Sequence, residues 1–264
     1  MLVIGERINA MFKDVALALE NKDKDFIQRL AISQIQAGAD ALDINCGPSS
    51  KDQIADLRWL IEVVQEVTDK TISIDSSKPE VIQKVIKFAK NKTIINSASA
   101  DMEKLDVLIP LALENNSILI ALAISKKGIP QNKEQRLELA ATIITTSQQY
   151  GFDINKLFID PVVMPLSFAQ SQLYDILESI REFKILSNPQ PRTVIGLSNI
   201  SQKVKDRSLV NRTFLVMALA EGLDAAILDP LDKELMDEMI TAELILNKQI
   251  YCNNYLQAYR KSKI

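Results

Sequence analysis

The 264-residue chain contains no histidine. That absence removes imidazole acid–base catalysis, serine–histidine and cysteine–histidine nucleophiles, and any metal site needing an imidazole ligand. Cysteine is scarce as well. Cys46 and Cys252 lie far apart in the chain and read as unpaired thiols of a reducing compartment. Two thiolates cannot complete a four-ligand zinc or iron–sulfur site, so no metal held by this chain is expected. No apolar run approaches the roughly 20 residues that span a bilayer, and residues 1–7 turn charged at Glu6 before a secretory core can form. The expected location is the cytoplasm. Excess positive charge is missing too: 31 Lys and Arg stand against 34 Asp and Glu, a formal net charge of −3. No basic field exists to hold nucleic acid or an anionic membrane. Chemistry must therefore use carboxylates, amides, hydroxyls, cations or a borrowed cofactor.

What is present is an alternation. Short apolar or β-branched runs at 2–8, 41–45, 71–75, 93–97, 118–124, 156–160, 193–198 and 224–229 are separated by amphipathic stretches. These stretches lie near 25–37, 51–68, 79–90, 102–115, 133–150, 170–187, 211–222 and 233–247. In the second of them Leu57, Leu60, Ile61 and Val64 recur on one side at helical spacing. Eight strand–helix units is the count of a closed parallel barrel. The sequence thus predicts an α/β fold, a single (β/α)8 TIM barrel domain over 1–264 with an extra C-terminal helix in 250–264. A doubly wound sheet usually carries a glycine-rich first turn, and Gly5-Glu6-Arg7-Ile8-Asn9 is not one. The units share no sequence signature that would mark a solenoid.

The chemistry-bearing pattern follows the apolar runs. They end in Glu6-Arg7 with Asn9, in Asp43 and Asn45, in Asp75-Ser76, in Asn96-Ser97, in Asp160-Pro161, in Ser198-Asn199 and in Asp229-Pro230. In a parallel barrel these strand ends meet on one face, where active sites sit. Asp and Asn are also common after strands because they cap helices and make turns, which accounts for any one of them about as well. Seven ends of eight are less easily explained that way. At the third, a serine of Ser76-Ser77 can cap the next helix and Pro79 can take its first turn, freeing Asp75. Thr71, Ser73 and Asp75 share one strand face, with Ile72 and Ile74 on the other.

Carboxylates without surrounding cations suit a ligand that donates a fork of hydrogen bonds. A pterin does so through its 2-amino group and N3–H, and its remaining polar atoms need partners such as Asn96, Ser198 and Asn199. A hard cation is the rival occupant, but the loops lack the glycine-rich, lysine-bearing phosphate cradle that Mg²⁺ sites usually accompany.

At these motifs the chain resembles the methyltetrahydrofolate:corrinoid/iron–sulfur protein methyltransferases, a branch of the pterin-binding barrels that includes dihydropteroate synthases. The resemblance runs nearly end to end. It is carried by Ile4-Gly5-Glu6-Arg7-Ile8-Asn9, Ala41-Leu42-Asp43-Ile44-Asn45, Asp75-Ser76, Ile95-Asn96-Ser97, Ile159-Asp160-Pro161, Gly196-Leu197-Ser198-Asn199 and Asn211-Arg212-Thr213-Phe214. It implies that Asp75, Asn96 and Asp160 bind the pterin edge and that Gly196, Ser198, Asn199 and Gln202 close over it. Arg207 is then available to the folate tail or an acidic partner. One departure is Ser125, where relatives often carry a longer amide or acid.

The resemblance further implies a homodimer of one-carbon metabolism. It takes the N5 methyl of 5-methyltetrahydrofolate, its substrate, and hands it to cobalt on a separate corrinoid/iron–sulfur protein. The chain holds no cofactor of its own, because the corrinoid travels on the partner. N5 is a poor leaving group until it gains a proton or a strong hydrogen bond, and Asn199 is the candidate catalytic residue there. Reduced cobalt needs no base to activate it. Transfer to homocysteine would need a zinc-bound thiolate, which this composition does not furnish. Three readings stay open beside the first: a tetrahydrofolate-using methyltransferase of a corrinoid demethylase system, a dihydropteroate synthase-like enzyme, and a non-catalytic folate-binding protein. Cys46 and Trp59 read as packing.

Overall fold

A computed structural model describes residues 1–263, and in it eight parallel strands close into one barrel in chain order. The first half runs β1 (Leu2–Asn9), α1 (Lys13–Glu20), α2 (Lys24–Gln36), β2 (Ala41–Asn45), α3 (Gln53–Gln65), β3 (Thr71–Asp75), α4 (Pro79–Val85), β4 (Thr93–Ser99) and α5 (Met102–Glu114). The second runs β5 (Ile118–Leu122), α6 (Lys133–Gln149), β6 (Leu157–Asp160), α7 (Leu166–Ala169), α8 (Leu173–Phe183), β7 (Arg192–Gly196), α9 (Arg207–Ala220), β8 (Ala225–Leu228), α10 (Lys233–Ile245) and α11 (Tyr255–Lys263). Leu2 to Gly5 of β1 pair with Ala225 to Leu228 of β8, which closes the ring. The barrel and its additional C-terminal helix are as expected. No described helix is long and apolar enough to cross a membrane.

Period two along each strand sorts the core into two layers. Outward residues such as Val3, Leu42, Ile72, Ile74 and Ile95 join the helices in one large cluster. Inward residues Ile4, Ala41, Ile94, Ile120, Phe158, Val194 and Ala225 fill the barrel with a separate apolar plug.

Boundaries differ where local chemistry outweighs periodicity. Helix α1 breaks the first loop and was not expected. The fifth strand stops at Leu122 rather than 124, because Ile124 N–H turns back to the Leu122 carbonyl and Ser125 bridges Gly128. The stretch 170–187 starts with a 3-10 turn before α8, and α9 begins at Arg207, four residues before the expected 211. No serine caps α4. Lys78 holds the cap position without a side-chain bond, Pro79 sits at the first turn, and Ser76 Oγ instead accepts from Lys78 N–H at 3.2 Å.

Candidate active site

Two residues beyond the plug, the same inward positions become polar: Glu6 on β1, Asp43 on β2, Asn96 on β4 and Asp160 on β6. Ser73 lies beside Asp43 in register, as Asp75 lies beside Asn96. The alternation that builds the apolar plug therefore also aims these side chains at the C-terminal mouth.

Asp43 organises one half of this layer. It is 3% exposed, and its Oδ1 accepts from Ser73 Oγ at 2.5 Å and Asn96 Nδ2 at 3.0 Å. Burial first, and the neighbouring Asp75 carboxylate second, push the Asp43 carboxyl well above the carboxylate range. Burial raises Asp75 too, against hydrogen bonds from Asn45 Nδ2, 2.6 Å away, and from Asp43. Two like groups sharing one buried site thus both resist ionisation, and the pair titrates as a unit. Asp75 and Asn96, both expected site residues, are joined through Asp43.

Asp160 anchors the other half. Burial raises its carboxyl to about 7, against backbone N–H groups of Val162 and Gly196. The Val162 N–H donates to Oδ1 at 2.7 Å. Val162 is held at φ 66°, a conformation unfavourable for a β-branched residue. A fully buried Arg136 fixes this turn from behind. Its Nε donates to the Pro161 carbonyl at 3.0 Å, and its terminal nitrogens to the Asn132 carbonyl and Gln172 Oε1, each at 3.1 Å.

After β7 the chain makes one 3-10 turn, Leu197–Asn199. Asn199 Oδ1 accepts from Gln202 Nε2 at 3.0 Å. Its Nδ2 lies over Gly196 so closely that a Cβ there would come within 2.9 Å of it. Gly196 therefore gives Asp160 an N–H on one side and makes room for the Asn199 amide on another. Ser198 Oγ donates to Glu6 Oε1 at 2.6 Å. Burial is the main cause that lifts the Glu6 carboxyl to about 7; Asp229 adds to it, while Ser198, Arg207 and Arg7 oppose it. Arg207 donates from Nε to Ser201 Oγ at 3.1 Å and from a terminal nitrogen to the Ser198 carbonyl at 3.4 Å. Two donors of the residue expected to reach outward are thus committed to its own loop.

A cavity of about 670 Å³ opens above this turn, lined among others by Glu6, Asn9, Ser198, Asn199, Gln202 and Arg207. That size suits a ligand of folate class. Asp75, Asn96 and Asp160 do not line it; they lie in the deeper polar layer, and the Gly196 N–H links Asp160 to the turn beside the cavity. Ser125 belongs elsewhere, in a surface hollow with Asp101 and Lys126. Cys46 is buried, and burial raises its thiol above the ordinary range.

The strand-end residues make turns, bind across strands, or, like Asn45, do both. Asn9, Asn45, Asp160 and Asp229 each accept a backbone N–H two residues on. Asp43, Asp75 and Asn96 bind side chains across strands. Sequence reasoning placed Glu6, Asp43 and Asn45 at strand ends without assigning them a role. The signal was available: each stands an even number of residues beyond an inward apolar position. Arg136 left no such signal, because a helical arginine ordinarily faces water.

Over residues 5–229 the chain matches the family model described as pterin binding enzyme. It is 32% identical over 269 aligned positions to the methylcorrinoid:tetrahydrofolate methyltransferase of Eubacterium limosum, covering 100% of this chain and 98% of that protein. It is 27% identical to methionine synthase of Mycobacterium tuberculosis over 86% of this chain, yet spans only 20% of that protein. A dihydropteroate synthase of Coxiella burnetii, solved with pteroic acid, superposes with a TM-score of 0.70 at 17% identity, covering 94% of each chain. At that identity the likeness is one of fold.

Proposed function

This chain belongs to the pterin binding enzyme family, and on that premise we propose that it moves a methyl group between N5 of tetrahydrofolate and the cobalt of a separate corrinoid protein. The observation that carries the reading is the full-length similarity to a methylcorrinoid:tetrahydrofolate methyltransferase, over a site whose polar layer suits a pterin. Written from 5-methyltetrahydrofolate, the reaction delivers the methyl to reduced cobalt; the relative's name writes it from the methylcorrinoid. Both directions share one transition state, so the same residues serve each.

In this reading Asp160 accepts the fork of the 2-amino group and N3–H, and those donors stabilise its anion against burial. Asn96 and Asp75 take further polar atoms of the ring, their positions set by Asp43. Asn199 addresses N5. Its Nδ2 faces Gly196 and its oxygen is held by Gln202, so the amide is oriented before substrate arrives. Losing such a preorganised hydrogen bond costs roughly tenfold to a thousandfold in rate. Ser198 and Gln202 close the site, and Arg207 stands at its edge for the folate tail. The chain holds no cofactor in this scheme; folate is a substrate and the corrinoid belongs to the partner, proposed to be a corrinoid/iron–sulfur protein.

A cytoplasmic homodimer completes the proposal. On α9, Leu209, Val216 and Met217 are 57%, 38% and 47% exposed. Their spacing of seven and eight residues puts them on one helix face, which supports assembly with a second copy; sedimentation velocity tests it.

The deciding experiment follows the visible spectrum while the protein is mixed anaerobically with 5-methyltetrahydrofolate and reduced cobalamin, and in reverse with methylcobalamin and tetrahydrofolate. Methyl transfer in either direction supports the reading. Folate binding without transfer, even to a corrinoid protein, defeats it. Asn199→Ala is expected to slow transfer about a hundredfold, and an unchanged rate and affinity would remove Asn199 from its role.

A further inference from the structure

The opposite end of the barrel carries a second cavity, of about 640 Å³. It opens at the N-terminal ends of the strands: Leu2, Thr71, Thr93, Ile118 and Arg192 line it, and each is the first residue of its strand. Leu2, Ile118 and Phe158 give it an apolar floor, the underside of the plug that fills the barrel. Four cations line the same hollow. Lys92 and Lys156 stand directly before β4 and β6, Arg192 opens β7, and Lys248 follows α10. In such barrels this face ordinarily serves stability. A face built for stability alone would intersperse its charges, since like charges gathered together repel.

Little in the protein neutralises these cations. Asp224 is the one carboxylate among the lining residues, and it is already committed. It accepts from Lys184 Nζ and from Thr193 N–H, each at 2.8 Å, with the Arg192 guanidinium 3.7 Å away. The Met1 amine is paired with Glu243. Among the described residues no carboxylate is paired with Lys92, Lys156 or Lys248. Lys156 donates instead to the neutral Asn116 amide oxygen. A chain of net charge −3 thus gathers four cations against one committed carboxylate in a single hollow.

The geometry points to a second ligand site at this N-terminal mouth, for a nucleoside polyphosphate, with its phosphates on Lys92, Lys156, Arg192 and Lys248 and its base against the apolar floor. The cations set the charge of the ligand. A guanidinium grips phosphate oxygens in pairs, and the ammonium groups add point charges around it. The floor calls for a flat apolar body, which inorganic phosphate lacks, and the polar side chains of Thr71, Asn116 and Asn155 border it to meet ring and sugar atoms. The volume suits a molecule of that size. The plug separates this mouth from the polar layer, so both sites can be filled at once. The site stands independently of the methyl-transfer reading.

Calorimetry with ADP on the full chain, without added metal ion, tests the site. ADP is expected to bind one to one, to raise the thermal midpoint, and to bind more weakly as salt screens the rim. Lys92 and Lys248 are exposed, so the double variant Lys92→Glu/Lys248→Glu should fold and bind folate as before. Its affinity for ADP should fall about tenfold or more. Adenosine lacks the charges and pyrophosphate lacks the apolar body, so each should bind at least about tenfold more weakly than ADP. Saturating tetrahydrofolate should leave ADP affinity unchanged. No ADP binding at millimolar concentration, undiminished binding in the charge-reversed variant, or displacement of ADP by tetrahydrofolate overturns the site. Pyrophosphate or adenosine binding as tightly as ADP overturns its assignment to a nucleoside polyphosphate.

Discussion

Gly196→Ala separates the geometry of the site from the stability of the fold. Gly196 sits at φ −83°, ψ 92°, a conformation any residue adopts. Alanine there introduces no backbone strain, and the stiffer unfolded chain adds about 0.4–1 kcal/mol of stability. The new methyl, however, would lie 2.9 Å from Asn199 Nδ2, half an ångström inside the 3.4 Å at which such contacts become ordinary. The amide must swing away by about that distance, stretching its bond to Gln202. A misplacement near 1 Å can cost about a hundredfold in rate, so half of it predicts a loss of about tenfold. Single-turnover methyl transfer reads the rate, and urea unfolding reads the fold. The unfolding midpoint should be unchanged or raised. Because the methyl acts only through Asn199, Gly196→Ala should cost nothing further in an Asn199→Ala background. Full activity of the single variant, or additive losses in the double, would refute this coupling.

Further outcomes follow from the buried polar groups. Asp160 carries a raised carboxyl, so the unfolded chain ionises first. Between pH about 4 and about 7 the folded state holds the extra proton, and stability falls with rising pH by up to about 4 kcal/mol from this group alone. Urea unfolding across that range should show the slope, and Asp160→Asn should flatten it. Folate affinity should rise over the same interval, since the pterin fork favours the carboxylate; calorimetry showing no pH dependence of affinity would remove Asp160 as the anchor. Arg136→Met strands the Pro161 and Asn132 carbonyls and Gln172 Oε1, at a cost of about 3 kcal/mol. It should also loosen the Asp160 turn, read as weaker folate binding in protein still folded at low temperature.

Much of the site was legible one residue at a time. Asp75, Asn96 and Asp160 stand at strand ends in the sequence, and strand parity already aims them at one mouth. Parity also separated Thr71, Ser73 and Asp75 from Ile72 and Ile74, as the two core layers show. The helix starts were less legible: the capping serine expected before α4 spends its oxygen on a turn, and α1 lies between the first apolar run and the first expected helix, where none was placed. Such choices depend on which N–H groups the surrounding loop leaves unpaired.

By itself, the sequence determined the barrel and its chemical repertoire. Eight alternating units specify one closed parallel sheet, and a chain without histidine must work with carboxylates, amides, hydroxyls, cations or a borrowed cofactor. Tertiary structure alone decided how those groups are buried and paired. Asp43 became the buried carboxyl that joins Asp75 to Asn96, Arg136 the hidden brace behind Asp160, and Glu6 the carboxyl held by Ser198. Charge state depends on burial and on neighbours more than a hundred residues away, and no local pattern encodes the dielectric that folding creates.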